Sequence, residues 1–178
     1  ESPTWKIGKP DSVISSGGSI PQYLDDGSVL MTGENPQNDD YVVQFTLNEP
    51  LHSIQLEALT DPSLTDGSAS RGSNGNFVLT EFVVEARSDS SGDFEKVEIE
   101  AAEADYEQKN FTIDLAIDGK LDKKGWAVDG NSKPANRTAT FGLVNMIPDD
   151  STIRITMSHR YGASHQIGRF RLSFSDQR

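Results

Sequence analysis

Short runs in which every second residue is apolar constrain the fold of this 178-residue chain more than any other feature. In the run 41–47, for instance, Val43, Phe45 and Leu47 share one face, which is the period of a half-buried β-strand. Gly, Asn, Asp and Ser separate the runs, and no segment between them has the pattern of a crossover helix. The sequence therefore predicts an all-β, mainly antiparallel β-sandwich or jelly roll of about eight strands, at 41–47, 53–59, 77–87, 95–100, 111–117, 138–144, 151–157 and 167–174.

The remaining segments complete the expected organisation. Residues 1–27 are rich in turn-forming residues, which predicts a loop-rich N-terminal segment, followed by one short strand at 28–31. Residues 60–76 are almost free of apolar side chains, and a loop of this length indicates a functional or ion-organised segment. A turn is expected at 88–92, and 101–108 is the one stretch that reads as a short helix. The length fits a single domain that spans residues 1–178.

The charge of the chain narrows the classes of partner. With 28 acidic and 16 basic residues, the formal net charge is −12, so nucleic-acid phosphates and anionic membranes are expected to be repelled. The same field favours cations or neutral sugars. No apolar run approaches the ~18 residues of a membrane span, which argues against membrane insertion. The absence of Cys excludes disulfides and thiolate metal sites.

Catalytic signatures are missing from the chain. Its histidines are His52, His159 and His165, and they form no His-x-x-x-His pair; nor is there a Gly-x-Ser-x-Gly elbow or a phosphate-binding Gly-x-x-x-x-Gly-Lys loop. Hydrolysis by paired carboxylates stays open, because pairing depends on distances in space. We therefore expect a protein that is not an enzyme.

The segment 114–128, Asp-Leu-Ala-Ile-Asp-Gly-Lys-Leu-Asp-Lys-Lys-Gly-Trp-Ala-Val, resembles the Ala-Ile-Asp-Gly…Gly-Trp signature of discoidin-like (coagulation-factor type C) and related galactose-binding modules. In that family the loop folds around a structural calcium ion, and oxygen ligands on a tight Gly turn suit calcium. The resemblance implies Asp118 as first ligand, with the carbonyl of Lys120 and possible support from Asp114 or Asp122. The alternative is an Asp-Gly turn above a core Trp126.

Glu81 is the second candidate calcium ligand. The segment 76–85 resembles the closing strand of the same family, and Glu81 matches the Glu that completes the calcium site there. On that strand Glu81 shares a face with Leu79 and Val83, an unfavourable place for an unpaired carboxylate. A bound cation or a salt bridge to Arg or Lys would relieve it. This strand precedes the Asp118 loop instead of following it, an order that resembles a circular permutation.

Four further blocks, at 54–64, 75–82, 125–128 and 167–173, resemble in this order the lectin-like domain of large secreted planctomycete-type proteins that also carry cytochrome c domains. The resemblance implies a non-catalytic, polysaccharide-targeting module, located outside the cell, in the periplasm or at the cell surface, and joined to other domains of a parent protein. The chain itself contains no Cys-x-x-Cys-His haem site.

The segment 158–166 offers the best surface for a glycan. It supplies His159, Arg160 and Tyr161, which combine an aromatic platform with planar hydrogen-bonding groups, and Arg160 could pair with hydroxyls or a uronate carboxylate. His165 and Arg71 are further candidates. The alternatives are that Tyr161 and His165 pack on the final hairpin and that Arg71 orders its own loop by a salt bridge to Asp61 or Asp66.

The expected function is thus a carbohydrate-binding module with a structural calcium site, acting as a monomer on a polysaccharide or glycan. The alternative is an architectural or protein-interaction β-sandwich domain of a multidomain secreted protein, without a glycan ligand. Exposed apolar patches in place of an aromatic and polar groove would favour that alternative.

Overall fold

Antiparallel strand pairing organises the computed structural model, which describes residues 2–88 and 92–178. The strands within these ranges are β1 (Lys6–Ile7), β2 (Ser12–Ser15), β3 (Ser19–Tyr23), β4 (Val29–Gly33), β5 (Asp39–Thr46), β6 (Leu51–Ala58), β7 (Val78–Leu79), β8 (Glu81–Arg87), β9 (Glu95–Val97), β10 (Ile99–Ala104), β11 (Trp126–Ala127), β12 (Arg137–Ile147), β13 (Thr152–His159) and β14 (Arg169–Ser175). Two short 3-10 helices, Thr65–Gly67 and Ile113–Ala116, complete the secondary structure of the described ranges. No helix within them combines the length and apolar character that crossing a membrane would need.

The strands form two large sheets and one small ladder. The larger sheet has the order β10-β12-β6-β14-β4-β3, with β1 paired to β14. The second sheet has the order β2-β5-β13-β8-β9, and β7 pairs separately with β11. All of these pairings are antiparallel.

Aromatic rings from the facing sheets meet in one core, which confirms the predicted β-sandwich. Phe82 of β8 stacks on Phe141 of β12 with ring centroids 3.9 Å apart, and Tyr41 of β5 stacks on Phe170 of β14 at 5.9 Å. Each of these side chains is almost fully buried, so the alternation in the sequence does place one face of every central strand in the interior. Trp126 lies below the surface, where its indole N–H donates to the Tyr106 carbonyl (2.8 Å).

Several local predictions were wrong. The described residues contain fourteen strands instead of about eight, largely because the N-terminal segment, expected to be loop-rich, forms β1, β2 and β3. The stretch 101–108 was expected to be helical, but its first half, 101–104, continues β10 and pairs with β12. The stretch 111–117, expected to be a strand, contains a 3-10 helix. The turn expected at 88–92 lies partly outside the described residues.

Candidate functional site

Glu81 and Asp118 lie together at one edge of the five-stranded sheet. Glu81 is the first residue of β8 and is 4% exposed. Its Oε2 accepts a hydrogen bond from the Gly119 amide (3.1 Å), and its carboxyl group contacts that of Asp118. Two carboxylates in contact need a shared proton or a cation between them. Burial first, and then the Asp118 contact, accordingly raise the pKa of Glu81 from 4.5 to about 7.

One oxygen of this pair has no partner. Glu81 Oε1 is buried and makes no hydrogen bond with the described residues. The pair opens into a surface cleft of about 470 Å³ that Lys96 and Glu98 also line, so a small ion could reach it from solvent. A buried, unsatisfied carboxylate oxygen beside a second carboxylate is the kind of hard donor that Ca²⁺ prefers.

The supporting ligands expected from the sequence lie nearby but are less well placed. The Lys120 amide donates to Asp118 Oδ1 (2.9 Å), which shapes the turn. Asp122 is exposed and accepts from the Lys124 amide (2.8 Å), while Asp114 is exposed on the second 3-10 helix. In residues 2–88 and 92–178 no group of three or more His, Cys, Asp or Glu is arranged to hold a metal. An ion at Glu81 and Asp118 would therefore need backbone carbonyls or water to complete its coordination.

The segment 158–166 divides into a buried and an exposed part. His159 is 1% exposed, its Nδ1 lies 3.1 Å from the Asp39 carbonyl, and its Nε2 accepts from the Ile167 amide (3.3 Å). Desolvation lowers its pKa to about 4. This position is incompatible with the predicted glycan contact, because the His159 ring faces the core against Tyr41.

Neither arginine of the predicted site is a free ligand-binding group. Arg160 binds Asp40 through two parallel hydrogen bonds of 3.0 and 2.6 Å. Arg71 donates to the hydroxyl of Ser19 and the carbonyls of Gly33 and Glu34, so it clamps β3 to the end of β4. Its expected alternative, a salt bridge to Asp61 or Asp66, is also not formed; Asp61 faces Arg169 at 3.5 Å.

Tyr161 and His165 instead line a small pocket of about 200 Å³ at the end of the sandwich. Tyr161 is 37% exposed, and its ring lies 4.7 Å from that of His165 and 6.3 Å from that of Phe111. Polar side chains from separate turns line the rest of the wall together with Phe111 and Val78: Asn74, Asn76, Gln108, Asp129 and Asn131. We call this set the end pocket.

A network of amides fixes the shape of the end pocket. Asn76 is 7% exposed; its Nδ2 donates to Gln108 Oε1 (2.8 Å) and its Oδ1 accepts from the Gly130 amide (3.0 Å). Gln108 Oε1 also accepts from the Asp129 amide (3.0 Å). Gly130 is required here, because a Cβ would lie 2.1 Å from the Gly75 carbonyl oxygen. These contacts tie the three turns that carry the pocket to one another.

The outer sheet faces are poorer sites for a sugar. On the five-stranded sheet, Arg154 pairs with Glu85 and lies 4.1 Å from the centre of the Phe94 ring, which covers that ring. On the other sheet, Arg171 pairs with Glu57 across neighbouring strands. At these positions the faces therefore present ion pairs in place of a free aromatic platform.

Sequence reasoning identified Tyr161 and His165 but missed the rest of the end pocket. Asn74 and Asn76 belong to the end of the 60–76 loop, whose length and composition marked it as a candidate functional loop. Phe111, Asp129 and Asn131 gave no comparable signal, because they come from turns that only the fold brings together.

No family model matches the chain, and no curated protein matches its sequence. Among solved structures, a Clostridium perfringens ZmpB structure with CBM32-1, CBM32-2 and M60 catalytic domains is 12% identical, with a TM-score of 0.44, and the match covers 97% of this chain but 15% of that one. A mutant of a family 29 carbohydrate-binding module is 11% identical, with a TM-score of 0.38 and coverage of 98% and 93%. The catalytic domain of a GH87 α-1,3-glucanase is 14% identical, with a TM-score of 0.36 and coverage of 98% and 28%. Since every TM-score here is below 0.5, the function proposed next depends on the geometry of the site.

Proposed function

We propose that this domain is a non-catalytic carbohydrate-binding module that holds a saccharide unit in the end pocket. The observation that carries the proposal is the combination of an exposed aromatic ring, Tyr161, with amide and carboxylate groups held by a rigid network. Sugar rings pack their C–H faces on aromatic rings, and their hydroxyls need planar donors and acceptors. The end pocket offers both within one small concavity.

The carboxylate pair serves this function as a structural calcium site. Asp118 and Glu81 would hold the ion, with the carbonyl of Lys120 as a supporting ligand and Asp114 and Asp122 as further candidates. When bound, calcium supplies the positive charge that neutralises the pair. The unpaired Glu81 oxygen supports this assignment.

The closeness of the two carboxyl groups also argues against this pair as the catalytic pair of a glycosidase. Glycosidases that use two carboxyl groups separate them by about 5 Å or more, to leave room for the sugar or for water. The Asp118 carboxyl group instead lies close enough to Glu81 to raise its pKa. We therefore assign the pair to structure, and the domain to targeting a larger secreted protein to a polysaccharide.

Affinity electrophoresis in gels that contain single polysaccharides tests the proposal. Wild-type protein should be retarded by at least one polysaccharide, and Tyr161→Ala should weaken retention about tenfold, equivalent to about 1.4 kcal/mol. Tyr23→Ala is the matched control, since Tyr23 is 55% exposed and lies outside the end pocket. Equal retention of the two variants would refute the assignment of the site.

One observation favours the alternative of an architectural module. Ile7, Ile14, Ile20 and Tyr23, which lie on the first three strands, are each more than 50% exposed. Apolar surface of this kind is typical of docking to another domain. Failure of every polysaccharide to retard the protein, together with binding to a neighbouring domain that Ile14→Ser and Ile20→Ser abolish, would establish that function.

A further inference from the structure

The charge of the end pocket restricts which saccharide it accepts. Asp129 is the one acidic residue in its lining, and the lining contains no Lys or Arg. Three cations outside the lining are engaged elsewhere: Arg160 is paired with Asp40, and Arg137 and Lys133 lie over the Tyr106 ring at 4.2 and 5.5 Å. Within the described chain, Asp129 forms no ion pair within 4.0 Å.

Two acceptor atoms of the lining receive no hydrogen bond from the described residues, one on Asp129 and one on His165. Asp129 Oδ2 accepts from the Tyr106 hydroxyl (2.6 Å), and no described residue donates to Oδ1. His165 Nδ1 lies 2.9 Å from the Gly162 carbonyl, which can only accept, so Nδ1 carries the proton. In the neutral ring Nε2 is then an acceptor. Both atoms are open to donors from solvent or from a ligand.

We infer that the end pocket selects saccharide units that offer hydroxyl or ammonium donors and carry no carboxylate or sulfate. The inference rests on the proposed function and narrows its ligand class. A uronate would bring a second negative charge into the pocket beside Asp129, with no Lys or Arg in the lining to compensate. The net charge of −12 acts in the same direction at longer range.

Paired tetrasaccharides test this selectivity. Each pair has the same linkage and configuration in the gluco, galacto or manno series, and one member is oxidised at C6 to the uronate. Chitosan tetrasaccharide adds an ammonium-bearing member, titrated separately in mildly acidic buffer so that its amines are protonated. For the series that binds, titration at pH 7.5 and about 0.15 M salt should give a uronate affinity at least about tenfold below that of the neutral partner.

Asp129→Asn removes the charge with little change in shape. Asp129 has a positive φ of 52°, which Asn also adopts readily, and the Asn oxygen can still accept from Tyr106. The variant should narrow the gap between neutral and uronate ligands to about threefold or less. Asp66→Asn is the matched control, because exposed Asp66 also has a φ of 52° but lies outside the pocket; its selectivity should equal that of wild type.

The possible results distinguish failure of the charge selectivity from failure of carbohydrate binding itself. A uronate that binds as tightly as its neutral partner, or an unchanged gap in Asp129→Asn, overturns the inference and leaves carbohydrate binding in place. Absence of binding by all neutral, ammonium-bearing and uronate ligands overturns the proposed function, and the inference with it.

Discussion

Replacing Glu81 by Gln should stabilise the calcium-free protein at pH 8. In the wild type the ionised carboxylate is buried, contacts Asp118 and leaves Oε1 without a partner. In Glu81→Gln the amide oxygen can accept from the Gly119 N–H, and the amide nitrogen can donate to Asp118. The substitution thus turns a repulsive contact into a hydrogen bond.

The size of the effect follows from the pKa shift. The folded protein holds the Glu81 proton to a pH of about 7, whereas the unfolded chain releases it near 4.5. The free energy of unfolding therefore decreases as pH rises through this window, by at most about 3 kcal/mol at 1.36 kcal/mol per pKa unit. Allowing for partial relaxation, we expect Glu81→Gln to gain about 2 kcal/mol at pH 8, or about 4–8 °C in Tm.

His159 contributes the opposite slope. Its folded pKa of about 4 lies below the ordinary 6.5, so its stabilising contribution is complete above pH 6.5 and is lost as pH falls toward 4. The two effects oppose each other between about pH 4.5 and 6.5. Removing the Glu81 titration should expose the loss of stability in acid that His159 causes.

Chemical denaturation between pH 5 and 8, in chelator and with excess calcium, measures these effects. Calcium should stabilise the wild type, because it binds the folded state, and should have little effect on Glu81→Gln. Glu85→Gln is the control on the same strand; its carboxylate is paired with Arg154, so the variant should show no gain at pH 8. A less stable Glu81→Gln protein at pH 8 in chelator would refute the reasoning.

Two further predictions concern the fold around these sites. Asp39→Ala should lower the free energy of unfolding by about 3 kcal/mol, because the 1%-exposed Asp39 carboxylate accepts hydrogen bonds from the Ser15 hydroxyl, the Gly17 amide and the Ser19 hydroxyl. A free energy of unfolding within about 1 kcal/mol of wild type in the same denaturation assay would contradict this. Gly125→Ala should lower the free energy of unfolding by about 2 kcal/mol, since the new Cβ would lie 2.1 Å from the Leu79 carbonyl oxygen. In the control Gly142→Ala the nearest atom lies 4.0 Å from the new Cβ, so its stability should be close to that of wild type. Equal losses of stability in the two variants would count against the packing described for β7 and β11.

The sequence predicted the central strands because burial there follows the strand period. Ile153, Ile155 and Met157 all face the core from β13, as their alternation requires. The same alternation points the side chain of His159 into the core. Its burial could therefore have been predicted from its position on β13, even though its residue type suggested a ligand contact.

The errors have different physical causes. The Ala- and Glu-rich stretch at 101–108 has high helix propensity, but pairing with β12 holds its first half in β10. At 111–117 the apolar residues fit both the two-residue period of a strand and the three-residue period of a 3-10 helix. The structure has the second: Ile113 and Ala116, three residues apart, are the buried residues of the 3-10 helix. Most of the end pocket lay beyond prediction because its turns are far apart in the sequence and are brought together by the fold, in part through the Asn76 and Gln108 network.

The segment between Phe111 and Asp118 connects the two sites physically. Phe111 lines the end pocket, Ile113 and Ala116 anchor the segment in the core, and Asp118 contacts Glu81. If an ion steadies this segment, chelation should weaken sugar binding by the wild type, and by reciprocity bound sugar should tighten calcium binding. Glu81→Gln satisfies Asp118 without an ion, so its sugar affinity should be the same in calcium and in chelator. Wild-type affinity that is equally insensitive to chelator would show that the core anchors alone hold the pocket in shape.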